Sequence, residues 1–66
     1  MKLIPRIKER RMEKHMSQKE LAAKININIS QLSRIENGHN KPSPEILWLI
    51  AEGINCKVDD LYEVSK

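Results

Sequence analysis

Apolar positions along this chain recur mostly at intervals of three and four residues, the spacing of one helix face. Ile4, Ile7 and Met12 fall on one side of a basic segment and predict a first helix over about residues 5–14, with Pro5 in its first turn. Leu21, Ala22 and Ile25 mark the inward face of a second helix that opens at Ser17. The Ser17 hydroxyl suits a free backbone N–H, Glu20 completes a capping box, and Met16 before the cap can staple against Leu21. Leu32 and Ile35 define a third helix, closed by Asn37 and Gly38. A fourth, "SPEILWLIAEG", is capped by Ser43, carries Pro44 at its first position, and is expected to run over about 44–52 and stop at Gly53. Its inward stripe is Leu47, Ile50 and Ala51, continuing to Ile54. "VDDLYEV" reads as a short fifth helix with Val58, Leu61 and Tyr62 inward and Asp59 and Asp60 at its positive dipole end.

One stretch alternates instead. Ile25, Ile27 and Ile29 are separated by Asn26 and Asn28, the pattern of a strand. Asparagine is a poor strand residue and a good turn and cap residue, so Asn26–Ile27–Asn28 is better read as a turn between helices. Asn26 can adopt the left-handed backbone that ends a helix, Ile27 can dip into the core, and Asn28 can cap the next helix. The expectation is an all-α, five-helix domain occupying residues 1–66. Its helices two and three form a helix-turn-helix over about 17–37, and the small Ala22 permits a close helix crossing.

Composition narrows the chemistry. The 66 residues are 39% hydrophobic and 32% charged, the balance of a folded domain, but a chain this short buries only about 60% of its unfolded surface and gains from association. Cys56 is the only cysteine, and neither His15 nor His39 lies at ligand spacing from it, so neither a disulfide framework nor a metal site is expected. Met1 and Met16 read as packing residues. No apolar run approaches the ~20 residues of a membrane span, and "MKLIPRIKERR" lacks a signal peptide's apolar centre, so a cytoplasmic setting is expected. The net charge of +3 is unevenly spread: Lys2, Arg6, Lys8, Arg10, Arg11 and Lys14 crowd the front, whereas Glu52, Asp59, Asp60 and Glu63 gather at the back. That asymmetry suggests one face for a polyanion. No nucleophile–base pair or phosphate-cradling glycine loop is present, so neither enzymatic activity nor a cofactor is expected.

"SQKELAAKI", "ISQLSRIENG", "KPSPEIL" and "VDDLY", in this order and spacing, resemble the Cro and phage-repressor type of helix-turn-helix regulator, the XRE-like family. The resemblance spans roughly residues 5–62. It implies a lambda-repressor-like fold and sequence-specific binding of double-stranded DNA, with the third helix, about 28–37, in the major groove. Ile29, Ser30, Ser33 and Arg34 occupy positions from which family members read base edges; Arg34 suits guanine O6 and N7. Gln18, Asn37 and Lys41 match contacts to backbone phosphates. Arg11 and Glu36 match a salt bridge that ties the first helix to the end of the third. Three positions depart from the family pattern. Asn26 replaces a usual glycine, Lys57 replaces a serine or threonine cap, and Ile29 replaces a polar reader. Ile29 is left with two readings, a contact to a thymine methyl or packing on its neighbours.

Helix four carries more apolar residues than one face can bury, leaving Ile46, Trp48 and Leu49 in need of cover. A second copy is the favoured cover, giving a homodimer on a near-palindromic operator; packing under the N-terminal "MKLIP" arm is the rival. The functional expectation is a transcriptional regulator, a repressor more readily than an activator, with no small-molecule ligand. A protein-interaction or antitoxin-like module on the same fold is the alternative.

Overall fold

The computed structural model describes residues 2–65, and Met1 lies outside them. Strand β1 (Lys2–Pro5) leads into α1 (Ile7–Glu13), α2 (Gln18–Lys24), α3 (Ile29–Glu36) and α4 (Pro44–Ile54). A single 3-10 turn, Val58–Leu61, then delivers the chain to β2 (Tyr62–Ser65). The strands pair antiparallel, Lys2 opposite Ser65 and Pro5 opposite Tyr62, so the two ends of the domain are joined in a ribbon. Among the described residues there are therefore four α-helices and a short sheet in place of five helices.

The local signals account for most helix boundaries. Ser17 Oγ accepts from the Glu20 N–H at 3.0 Å while Glu20 Oε1 accepts from the Ser17 N–H at 3.1 Å, which satisfies two end donors of α2 reciprocally. Asn26 takes the left-handed backbone (φ 60). Asn28 Oδ1 then accepts from the Ser30 N–H at 2.9 Å and caps α3. Gly38, at φ 79, closes α3, and the His39 N–H returns to the Arg34 carbonyl at 2.9 Å. Ser43 Oγ caps α4 through the Ile46 N–H at 3.2 Å. The completely enclosed side chains, Ile7, Leu21, Leu32, Ile50, Ile54 and Leu61, come from every helix and the final turn and form one core.

Four expectations are corrected. The segment 2–5 is a strand, and α1 begins at Ile7: proline disfavours a helical backbone at the residue before it, so Ile4 is extended, and Pro5 sits at the end of a ribbon where its missing N–H is tolerated. Met12 is 56% exposed because the buried stripe of α1 is Ile7 and Arg11, one helical repeat apart. The expected fifth helix is one 3-10 turn: the Lys57 side chain provides no cap, and from Tyr62 (φ −131, ψ 149) the backbone is extended and paired with β1. Finally, α4 runs through Gly53 to Ile54 and ends at Asn55, which adopts φ 64. Gly53 serves packing here. A Cβ at that position would stand 2.8 Å from both Leu21 Cδ1 and Ile25 Cγ2, so the glycine is what allows α4 to lie against α2.

Candidate nucleic-acid interface

The α2–turn–α3 unit is held from behind by one buried polar cluster. Arg11 on α1 reaches Glu36 at the end of α3 with two bonds, Nε to Oε2 at 2.9 Å and Nη2 to Oε1 at 3.1 Å. The Arg11 Nη1 donates to the Met16 carbonyl at 2.7 Å, just before α2. Gln18 Nε2 completes the cluster by donating to Glu36 Oε1 at 3.0 Å. The Arg11 and Glu36 side chains are only 9% and 1% exposed, so water screens the pair little. Such a pair is held in place because separating it would strand a charge in the interior. It joins three helices at one point, and its planar, two-bond geometry leaves little rotational freedom.

Leu32 and Ile35 bury the inner side of α3, which turns its other residues outward. Gln18, Ile29, Ser30, Ser33 and Arg34 line one shallow groove of about 460 Å³ on that outer side. Ile29 is 45% exposed, so packing has not consumed it. Arg34 is exposed and forms no ion pair among the described residues. Ser33 is half-buried, and its hydroxyl accepts a long bond, 3.5 Å, from Asn37 Nδ2. Lys41 is exposed in the loop after α3, beside His39 and Asn40. The groove thus brings together the four residues assigned to bases and Gln18, while Asn37 and Lys41 lie further along the same helix and loop.

Gln18 is the residue whose surroundings differ most from a sequence-based picture. One of its two N–H groups is committed to Glu36, leaving a carbonyl oxygen and a single N–H to face a ligand. The link was invisible in the sequence because Gln18 and Glu36 are separated by 18 positions and meet only through the steep packing of α2 on α3. Lys2, at the start of β1, is exposed and forms no ion pair among the described residues. The basic run at the N-terminus was the only signal, and it did not separate Lys2 from residues such as Arg6 and Arg10, which are occupied. Arg6 pairs with Glu9 and Glu63, and Arg10 pairs with Glu13 and the Asp60 carbonyl.

On α4, Trp48 is 57% exposed and lines a surface depression with Pro44, Glu45 and Leu49. Among the described residues of the N-terminal segment, none lines that depression. Ile46 and Leu49 are half-buried against the core, and Ile46 lies in a separate groove with Gln31 and His39. Cys56 is half-buried against the same core, and loss of hydration there pushes its thiol pKa up. No group of metal-binding side chains occurs among the described residues, and no helix is long and apolar enough to cross a membrane.

With this geometry in hand, comparison with known proteins is specific. The family model for the helix-turn-helix matches residues 7–61. The chain is 36% identical over 63 residues to the HTH-type transcriptional regulator DdrOP3 of Deinococcus deserti, covering 96% of this chain and 49% of that protein. It therefore spans about half the length of that relative. It is 42% identical over 60 residues to the ImmF control region 10 kDa protein of Bacillus phage phi105, covering 91% of this chain and 67% of the phage protein. The crystal structure of the restriction-modification controller protein C.Esp1396I superimposes with a TM-score of 0.75 at 31% identity, over 83% of this chain and 74% of that one. The chain belongs to the helix-turn-helix family of the Cro and phage-repressor type.

Proposed function

We propose that the protein is a sequence-specific transcriptional regulator that binds double-stranded DNA as a homodimer, with α3 in the major groove of each half-site. The observation that carries this reading is the groove on the outer side of α3, where Gln18, Ile29, Ser30, Ser33 and Arg34 converge while Leu32 and Ile35 anchor the helix. An eight-residue helix is about 12 Å long, which suits a major groove about 12 Å wide. Arg34 donates two parallel bonds to guanine, Ser30 and Ser33 exchange bonds with neighbouring base edges, and Ile29 meets a thymine methyl. The remaining N–H of Gln18, with Asn37 and Lys41, holds phosphates on either flank. Arg11 and Glu36 fix the angle of α3 to α1 and touch no DNA.

Trp48, with Leu49 beside it and Ile46 at the margin, forms the contact with a second copy. A two-fold pair sets two recognition helices about one helical turn, ~34 Å, apart and selects a near-palindromic operator. Occupancy of that operator excludes polymerase, so the regulator represses in the cytoplasm, with neither catalysis nor a small-molecule effector. Selection from random duplex DNA with the purified protein tests the whole reading. Enrichment of a near-palindrome with half-sites one turn apart is expected; a lone half-site refutes the dimer, and no enrichment refutes sequence-specific binding and leaves the fold to protein recognition.

A further inference from the structure

Beyond the C-terminal end of α3, a second groove of about 680 Å³ runs between that helix, the loop after it and the terminal ribbon. Leu3, Pro5 and Pro42 give it an apolar floor, and Lys2, Asn40, Lys41 and Tyr62, which also line it, carry groups able to donate. No carboxylate is among the described residues lining it, and neither lysine forms an ion pair among the described residues. Lys2 and Lys41 both line the groove, so it carries positive charge that an anionic ligand would offset. The position of Lys2 is set by pairing of β1 with β2, and Arg6, between β1 and α1, extends the link: its N–H donates to the Leu61 carbonyl at 2.7 Å and its Nε to Glu63 at 2.8 Å.

We propose that this groove is an additional seat for the DNA backbone, in which Lys2 contacts a phosphate flanking the half-site. The inference rests on the DNA-binding reading above and extends its footprint past Lys41. A phosphodiester strand fits better than a free anion, because it offers charge to the two lysines and deoxyribose carbons to the apolar floor. The terminal ribbon then has a role in recognition as well as in closing the fold: it carries a cation from the first residues of the chain to the flank of α3.

The test uses the full chain and two duplexes carrying the selected operator. One is trimmed at the half-sites and the other extended by half a helical turn, about five base pairs, on each side. Each phosphate contact contributes about 0.9 to the slope of log affinity against log salt, so it is weakened about threefold between 50 and 200 mM salt. Lys2→Gln is expected to lower that slope by about 0.9 per protomer on the extended duplex and to leave the trimmed duplex unchanged. Lys57→Gln, in the cleft beside Cys56, is expected to match the native chain on both. An unchanged slope for Lys2→Gln on the extended duplex, or an equal change on both duplexes, overturns the proposal. So does competition by inorganic phosphate that Lys2→Gln abolishes while its duplex slopes stay native, which would mark a free-anion site. A native chain that binds neither duplex refutes the DNA-binding reading itself, an outcome distinct from all of these.

Discussion

Helices α3 and α4 have similar apolar anchors and opposite outer faces. In α3, Leu32 and Ile35 are buried, and Ser30, Gln31 and Arg34 are exposed with Ile29 in front, Ser33 half-buried among them and Asn37 just past the end. In α4, Ile50, Ala51 and Ile54 are buried, and the outward side still carries Trp48, with Pro44, Leu49 and the carboxylate of Glu45 around it. The outer face of α3 is stable in water and offers hydrogen bonds in a particular arrangement, which is what reading a polar surface requires. The outer face of α4 offers area with little directionality, which is what association of apolar surfaces requires. On the proposed reading the two helices of one small core meet different partners, and the Arg11–Glu36–Gln18 cluster is bonded to α3 but not to α4.

That division can be broken at three points. Glu36→Ala leaves the Arg11 guanidinium buried without its partner and releases Gln18, and is expected to destabilise the domain by about 3–5 kcal/mol in urea unfolding. A loss below 1 kcal/mol would mean that the cluster does not set the pose of α3. Trp48→Ala removes the aromatic anchor of the α4 face and should weaken self-association by about 2 kcal/mol or more, while monomer stability changes by less than about 0.5 kcal/mol. Sedimentation at micromolar concentration reads the first quantity; a native chain that is already monomeric there would contradict the assignment of α4. Arg34→Ala should cost about 1–3 kcal/mol on the selected operator and little on random duplex, with no change in unfolding. Equal losses on both kinds of DNA would make Arg34 a phosphate contact.

What was legible beforehand follows the range of the interactions involved. The Ser17, Asn28 and Ser43 caps, the turn at Asn26 and the end of α3 at Gly38 each depend on groups within a few residues, so residue type and spacing were sufficient. The ribbon joins positions some sixty residues apart, Lys2 with Ser65, and its strands are too short to show an alternation of their own. The same reason explains Gly53. A glycine near the end of an apolar run signals termination locally, and only the approach of Leu21 and Ile25 shows that it is needed for packing. Met12 is exposed because the inward position on α1 goes to Arg11, and a buried arginine becomes acceptable only once Glu36 arrives to meet it.

The sequence alone determined the helix-turn-helix: where α2 and α3 begin, how the turn between them is made, and which residues of α3 other than Ile29 face away from the core. These are consequences of backbone hydrogen-bond satisfaction and helical periodicity, both of which act over a few residues. Tertiary structure alone decided that Gln18 shares its amide with Glu36, that Trp48 is uncovered, and that the chain ends pair and bring Lys2 to the groove of Lys41. Each of those requires segments far apart in the chain to meet, and a contact between distant segments is fixed by how the whole core closes.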